Sequence, residues 1–193
     1  MSAPAKPRLA RGRVYRTRQL AQWSENPTRL AKRLVREGHL RQLANGLYYR
    51  PHESRFGEVP PSDEALMRGF LEGSAFVFTG PEYWNSLGLG STALSPETLV
   101  YNTKRSGPFQ FGSRRFRLRR MRFPRTPPPE WYAVDLLDNG DYMDLESREL
   151  LERLRVRLND GGLKPSTLES MARKFGTKRT QQLVRGVTTR LAA

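Results

Sequence analysis

Residues 13–51 read RVYRTRQLAQWSENPTRLAKRLVREGHLRQLANGLYYRP. Thr17 is a favourable N-cap for a short helix through Trp23, with Leu20, Ala21 and Trp23 as its apolar residues. Ser24-Glu25-Asn26-Pro27 makes a turn in which Asn26 caps a second helix and Pro27 takes its first position. That helix is predicted to reach Glu37 and to stop at Gly38, with Leu30, Ala31, Leu34 and Val35 as its inward stripe. His39–Leu43 and Leu47–Arg50 then read as two strands joined by Ala44-Asn45-Gly46, where Asn-Gly supplies the two positive φ angles of a tight hairpin turn. Tyr48 and Tyr49 alternate across their strand, so only one is expected to be fully core, and Pro51 ends it. A short helix, a turn, a basic helix and a hairpin, in that order, are the parts of a winged helix-turn-helix.

The outward face of the second helix carries the chemistry. Arg29, Arg33 and Arg36 stand at i, i+4 and i+7, with Thr28 and Lys32 beside them. No acidic residue follows until Glu37, so ion pairs along the helix do not account for the face. Guanidinium groups suit bidentate contacts to guanine or phosphate. Arg41 and Asn45 are placed to reach a backbone or minor groove from the wing, and Arg16 and Arg18 to add phosphate contacts. Residues 1–12, with Pro4, Pro7, Lys6, Arg8 and Arg11, read as a basic arm.

Composition agrees with a polyanionic partner. The 193 residues carry a formal charge of +15, and the mean hydropathy of −0.69 with 10% aromatics still allows a core. Residues 1–60 hold 13 Lys/Arg against 4 Asp/Glu, more than half of the excess in the first third. No apolar run approaches the ~20 residues of a membrane span, and the N-terminus has no apolar stretch of a secretory signal. There is no cysteine, and only His39 and His52 could offer imidazole, so neither a structural metal nor a cofactor is expected. A cytoplasmic protein follows.

The fold class expected is α+β: the winged helix of 13–51, a linker over 52–61, and a larger mixed α/β domain over 62–193 that ends in helices. Ser62 caps a helix with Leu66, Met67, Phe70 and Leu71 inward; 75–78 and 98–102 read as strands, and Gly80-Pro81 opens a short helix. Residues 98–129 contain nine Lys/Arg and no acid. Within them Arg115, Arg117 and Arg119 alternate with Phe116 and Leu118. This is either an edge strand protected by charge or a second polyanion surface. Trp131–Leu137 reads as a further strand, and Glu146–Leu158, Pro165–Phe175 and Thr177–Leu191 as helices. Asp135, Asp138, Asp141 and Asp144 lack the ligand order of a calcium loop and read as solvated. Gly90-Ser91 lacks the following acidic pair that a nucleotidyltransferase needs for Mg²⁺, and no nucleophile set stands out, so no enzyme is expected.

The run LAKRLVREGHLRQLANGLYYRP resembles the N-terminal winged helix of the AbiEi antitoxins of abortive-infection type IV toxin–antitoxin systems. It follows their pattern xRLxREGxLxxLxxGLYxxP at Arg33-Leu34, Arg36-Glu37-Gly38, Leu40, Leu43, Gly46-Leu47-Tyr48 and Pro51. FTGPEYWNSLGL and LVYNT, further on, are loosely similar to the start of the family's C-terminal domain. The resemblance implies a transcriptional autorepressor that binds inverted repeats in its own promoter and counteracts a nucleotidyltransferase-like toxin without needing direct contact. It departs at the N-terminus: little room precedes Thr17 for a full first helix, so the helical core is expected to be reduced or completed by the second domain. The alternative is an RNA-binding or toxin-sequestering protein that works through the basic C-terminal domain.

Overall fold

The computed structural model describes residues 7–90, 95–140 and 147–189. Val14–Arg16 forms β1, Thr17–Trp23 a 3₁₀ helix, Pro27–Arg36 α1, Arg41–Ala44 β2 and Leu47–Tyr49 β3. Strand order is β1-β3-β2, antiparallel throughout. Thr17 is the first residue of its helix rather than the cap: its N–H bonds the Gly46 carbonyl at 3.0 Å, and Gln19 Oε1 accepts the Arg16 N–H at 2.8 Å. Gln19 thus reaches back to the residue before the helix, as in a capping box, and the segment winds as 3₁₀. α1 begins as its sequence dictates, with Asn26 Oδ1 accepting the Arg29 N–H at 2.9 Å and Pro27 at its first position.

Two details of the hairpin differ from expectation. Only Gly46 takes a positive φ (+70°); Asn45 does not, and an irregularity between Gln42 and Ala44 absorbs the difference. Tyr48 and Tyr49 are both buried. Tyr48 joins Tyr15, Leu20, Leu30, Ala31, Leu34 and Leu40 in the helical core. The Tyr49 hydroxyl instead donates to the Val59 carbonyl and accepts the His52 N–H at 3.2 Å, so the opposite face of the sheet is covered as well.

That cover comes from residues expected to be a linker. His52–Ser54 (β4) and Gly57–Val59 (β5) form a second hairpin, and Asp63–Phe70 (α2), capped by Ser62, packs on β1. A Cβ at Gly69 would stand 2.5 Å from Val14 Cβ, so glycine is what admits the close approach of α2. The chain divides into two compact units: one runs to Phe76 and includes Gln110–Arg114, and the other holds Val77–Phe109 and Arg115 onward. α2 thus belongs with the first unit, and the division lies past the boundary expected at residue 62.

The second unit is mixed α and β. Phe76–Thr79 (β6), Thr98–Asn102 (β7), Gly107–Phe111 (β8) and Arg114–Arg120 (β9), of which Phe76, Gln110, Phe111 and Arg114 count with the first unit, form a sheet of order β6-β7-β9-β8, in which β7 and β9 run parallel. Pro81–Ser86 (α3), Pro129–Asp138 (α4), Ser147–Asn159 (α5), Pro165–Phe175 (α6) and Lys178–Thr189 (α7) complete it. The strand expected at Trp131–Leu137 is α4, opened by Pro129. Trp131, Ala133, Val134, Asp135 and Leu136 are all buried; a helix covered nearly all round has no polar face to reveal its period. Its core partners include Trp84, Leu154, Leu168 and Val184. No helix among the described residues is long and apolar enough to cross a membrane.

Candidate nucleic-acid interface

Leu30, Ala31 and Leu34 anchor α1 inward, so Thr28, Arg29, Lys32, Arg33 and Arg36 come out together on its exposed side. Arg29, Lys32, Arg33 and Arg36, with Trp23, Ser24, Glu25 and Asn26, line an open groove of about 1150 Å³. Arg33 lies 3.9 Å from Glu37; among the described residues Arg29, Lys32 and Arg36 have no carboxylate within ion-pair distance. Arg33 and Arg36, in the last turn, are favoured there by the helix dipole. Arg29 is not. It stands in the first turn, where a cation opposes the dipole by about 0.3–1 kcal/mol and where an anion would be welcome. The helix dipole does not account for its placement.

The other residues expected at the interface divide. Asn45 is exposed at the β2–β3 turn. Arg41 is held by Glu58 of β5, at 3.0 and 3.1 Å, rather than reaching out from the hairpin. Arg16 is structural: its guanidinium donates to the Phe70 carbonyl at 3.0 Å and lies 4.7 Å over the Phe70 ring. Arg18 pairs with Glu72 at 2.7 Å while staying largely exposed. Of the arm, residues 7–12 are folded back: Leu9 packs on the core, the Ala10 N–H donates to the Tyr15 hydroxyl at 2.7 Å, and the Gly12 N–H to the Arg50 carbonyl at 2.9 Å. Residues 1–6 lie outside the described residues. Sequence periodicity could not find these pairings, because Glu58 sits in the segment taken for a linker and Glu72 in the turn after α2.

The second basic stretch is not a free surface. β9 lies between β7 and β8, so it is not an edge strand. Arg115 is exposed, but Arg117 grips Glu97 at 2.8 Å, and Arg119 donates to Asn139 Oδ1 at 2.6 Å. Arg119 thereby ends a buried chain that sequence reading missed. Asn139 donates to the Tyr101 hydroxyl at 2.9 Å, and Tyr101 donates to Asp135 at 2.6 Å. Asp135 also accepts from Thr79 at 2.5 Å and from the Trp84 indole at 3.1 Å. Burial pushes the Asp135 carboxyl up to about 6, although these donors pull the other way. Burial, with Asp135 beside it, also raises the Tyr101 hydroxyl. Asp135 is therefore core rather than solvated loop. Asp138 accepts from Thr177 and Thr180 at the start of α7. Asp141, Asp144, Glu146 and Ser91 lie outside the described residues.

The chain matches no protein-family profile and no curated protein sequence. Among solved structures it is similar to the crystal structure of the RV2827C protein from Mycobacterium tuberculosis, with a TM-score of 0.54 and 16% identity, over 92% of this chain and 71% of that one. At that identity the likeness is one of fold alone.

Proposed function

We propose that the first unit is a winged helix-turn-helix and that α1 enters the major groove of DNA. The 3₁₀ helix and α1 form the helix-turn-helix, the β2–β3 turn is the wing, and α2, packed on β1, supplies the further helix. One observation carries the proposal: an exposed α1 face of Arg29, Lys32, Arg33 and Arg36, with Arg29 set against the helix dipole. Arg29 and Arg36 are seven residues apart, about 10 Å along the helix axis, which spans roughly three base pairs. In its resemblance to the AbiEi antitoxins, the chain acts as a cytoplasmic, non-enzymatic autorepressor. It binds inverted repeats in its own promoter and counteracts a nucleotidyltransferase-like toxin.

Gel-shift titration of the full chain on its own upstream DNA tests the binding. Arg33→Ala weakens it by about 1–3 kcal/mol if the side chain meets a base edge, and relaxes sequence preference locally. Unchanged binding refutes the assignment of α1. Co-expression with a nucleotidyltransferase-like toxin, if one is encoded beside this chain, tests the antitoxin role: growth is rescued by the intact chain, and failure of rescue, or no such gene there, sinks that half alone.

A further inference from the structure

Folding residues 7–12 back onto β1 builds a second concavity. It measures about 560 Å³ and is walled by Arg8, Arg13, Tyr15, Arg18, Gln22 and Trp23. Trp23 is common to this cleft and to the α1 groove. Its indole meets the Tyr15 ring edge-on, with centroids 6.3 Å apart, and is only half-buried. Arg8 and Arg13 are exposed and have no carboxylate within ion-pair distance among the described residues. The Arg13 guanidinium lies 5.2 Å over the Tyr15 ring, which leaves Trp23 as the aromatic wall for a ligand.

A volume in this range suits one small planar molecule. A partly exposed indole flanked by unpaired guanidiniums and a glutamine amide fits a base with its phosphate. Bases inside a duplex are stacked on one another and cannot lie on a side chain at the wall of a cleft. An unpaired base can, and base–aromatic stacking tolerates any sequence. We propose that this cleft takes up an unpaired nucleotide of the bound DNA, its base against the Trp23 indole and its phosphate between Arg8 and Arg13. The site rests on the assignment of α1 as a DNA helix, since a strand leaving the α1 groove reaches the cleft past Trp23.

The protein carries its own reporter. Trp84 and Trp131 are buried, so changes in tryptophan emission on titration come from Trp23. The full chain is titrated with a blunt duplex, the same duplex bearing a four-nucleotide overhang, an eight-residue oligothymidylate and thymidine monophosphate. The overhang duplex is expected to bind about tenfold tighter than the blunt one and to quench the emission. The double variant Arg8→Ala/Arg13→Ala, both on the surface, is expected to erase that preference. Labelled-duplex anisotropy with Trp23→Phe should retain part of it. Equal affinity and equal quenching for blunt and overhang duplexes overturn the proposal, and so does the monophosphate binding as tightly as the oligothymidylate. Arg33→Ala separates the two readings. Loss of blunt-duplex binding in that variant, with no overhang preference in the parent, fails the cleft and keeps α1. Quenching by oligothymidylate with duplex binding untouched by Arg33→Ala fails α1 instead.

Discussion

Gly69→Ala tests whether α2 is integral to the first unit. On a free helix the change would stabilise, because alanine is favoured over glycine by about 0.8–1 kcal/mol in a helix interior. Here the added Cβ would stand 2.5 Å from Val14 Cβ, 2.6 Å from its Cγ1 and 3.0 Å from its carbonyl oxygen. Carbon atoms pack at about 3.5–4.0 Å, so α2 and β1 must separate by roughly 1 Å. Overpacking costs about 1–3 kcal/mol; contacts as short as 2.5 and 2.6 Å call for the upper part of that range, about 2–3 kcal/mol, of which about 0.8–1 is offset by helix propensity. The net expectation is a loss of about 1–2 kcal/mol. Urea unfolding of the full chain should show the midpoint falling by roughly 0.5–2 M, for a slope of about 1–2 kcal/mol/M. Hydrogen exchange should locate the loss in the amides of β1, β2 and β3. Adding Val14→Ala removes the Cγ1 contact and keeps the Cβ one, so relief is partial and the double variant should be less destabilised than the sum by about 0.5 kcal/mol. A neutral or stabilised Gly69→Ala protein would refute the packing.

The buried carboxyl gives a pH dependence of definite sign. Asp135 stands at about 6 when folded against 3.8 otherwise, so its protonated form is favoured by folding. Its contribution is complete below about 3.8 and is lost as pH rises through about 6, worth about 3 kcal/mol in all. Denaturation between pH 5 and pH 7 should show stability falling as pH rises, and Asp135→Asn should flatten that slope; a flat profile in the parent excludes the burial. Asn26→Ala, which removes the cap of α1, should cost about 1 kcal/mol in thermal unfolding and weaken duplex binding with it. Arg117→Ala should leave duplex affinity within twofold in gel shift, since its guanidinium is committed to Glu97; a marked loss would restore the second basic surface.

Legibility followed the range over which the determining physics acts. α1 was readable because Asn26, Pro27 and Gly38 write both of its ends into adjacent residues, and Leu30, Ala31 and Leu34 supply an unambiguous period. Its exposed cations were readable for the same reason. α4 was not, because burial of both Trp131 and Asp135 removed the polar face that marks a helix. The β4–β5 hairpin was missed because its stability lies in Tyr49 and Arg41, residues of another hairpin that meet Val59 and Glu58 only in the fold. Asp135 looked solvated for want of any sign that Thr79, Trp84 and Tyr101, more than 30 positions earlier, converge on it.

Charge pairing decides which part of this basic chain can hold a polyanion. In the first unit Glu58 takes Arg41, Glu72 takes Arg18 and lies near Arg16, Glu64 takes Arg68, and Asp63 takes Arg114. Each of these acids quiets an arginine away from the exposed face of α1. On that face, among the described residues, only Arg33 has an acid within ion-pair distance, and that contact is long, at 3.9 Å. Exposed pairs of this kind add little stability, about 0–1 kcal/mol each, so their effect is chiefly to focus the field. Arg29, Lys32, Arg33 and Arg36 remain as the contiguous cations on a helix. If these four neutralise phosphates, the logarithm of duplex affinity should fall against the logarithm of salt with a slope of about −3.6, at roughly 0.9 per contact. A slope of about −12 would mean that all 13 Lys/Arg of the first sixty residues take part, and that the pairing seen in the fold does not survive binding.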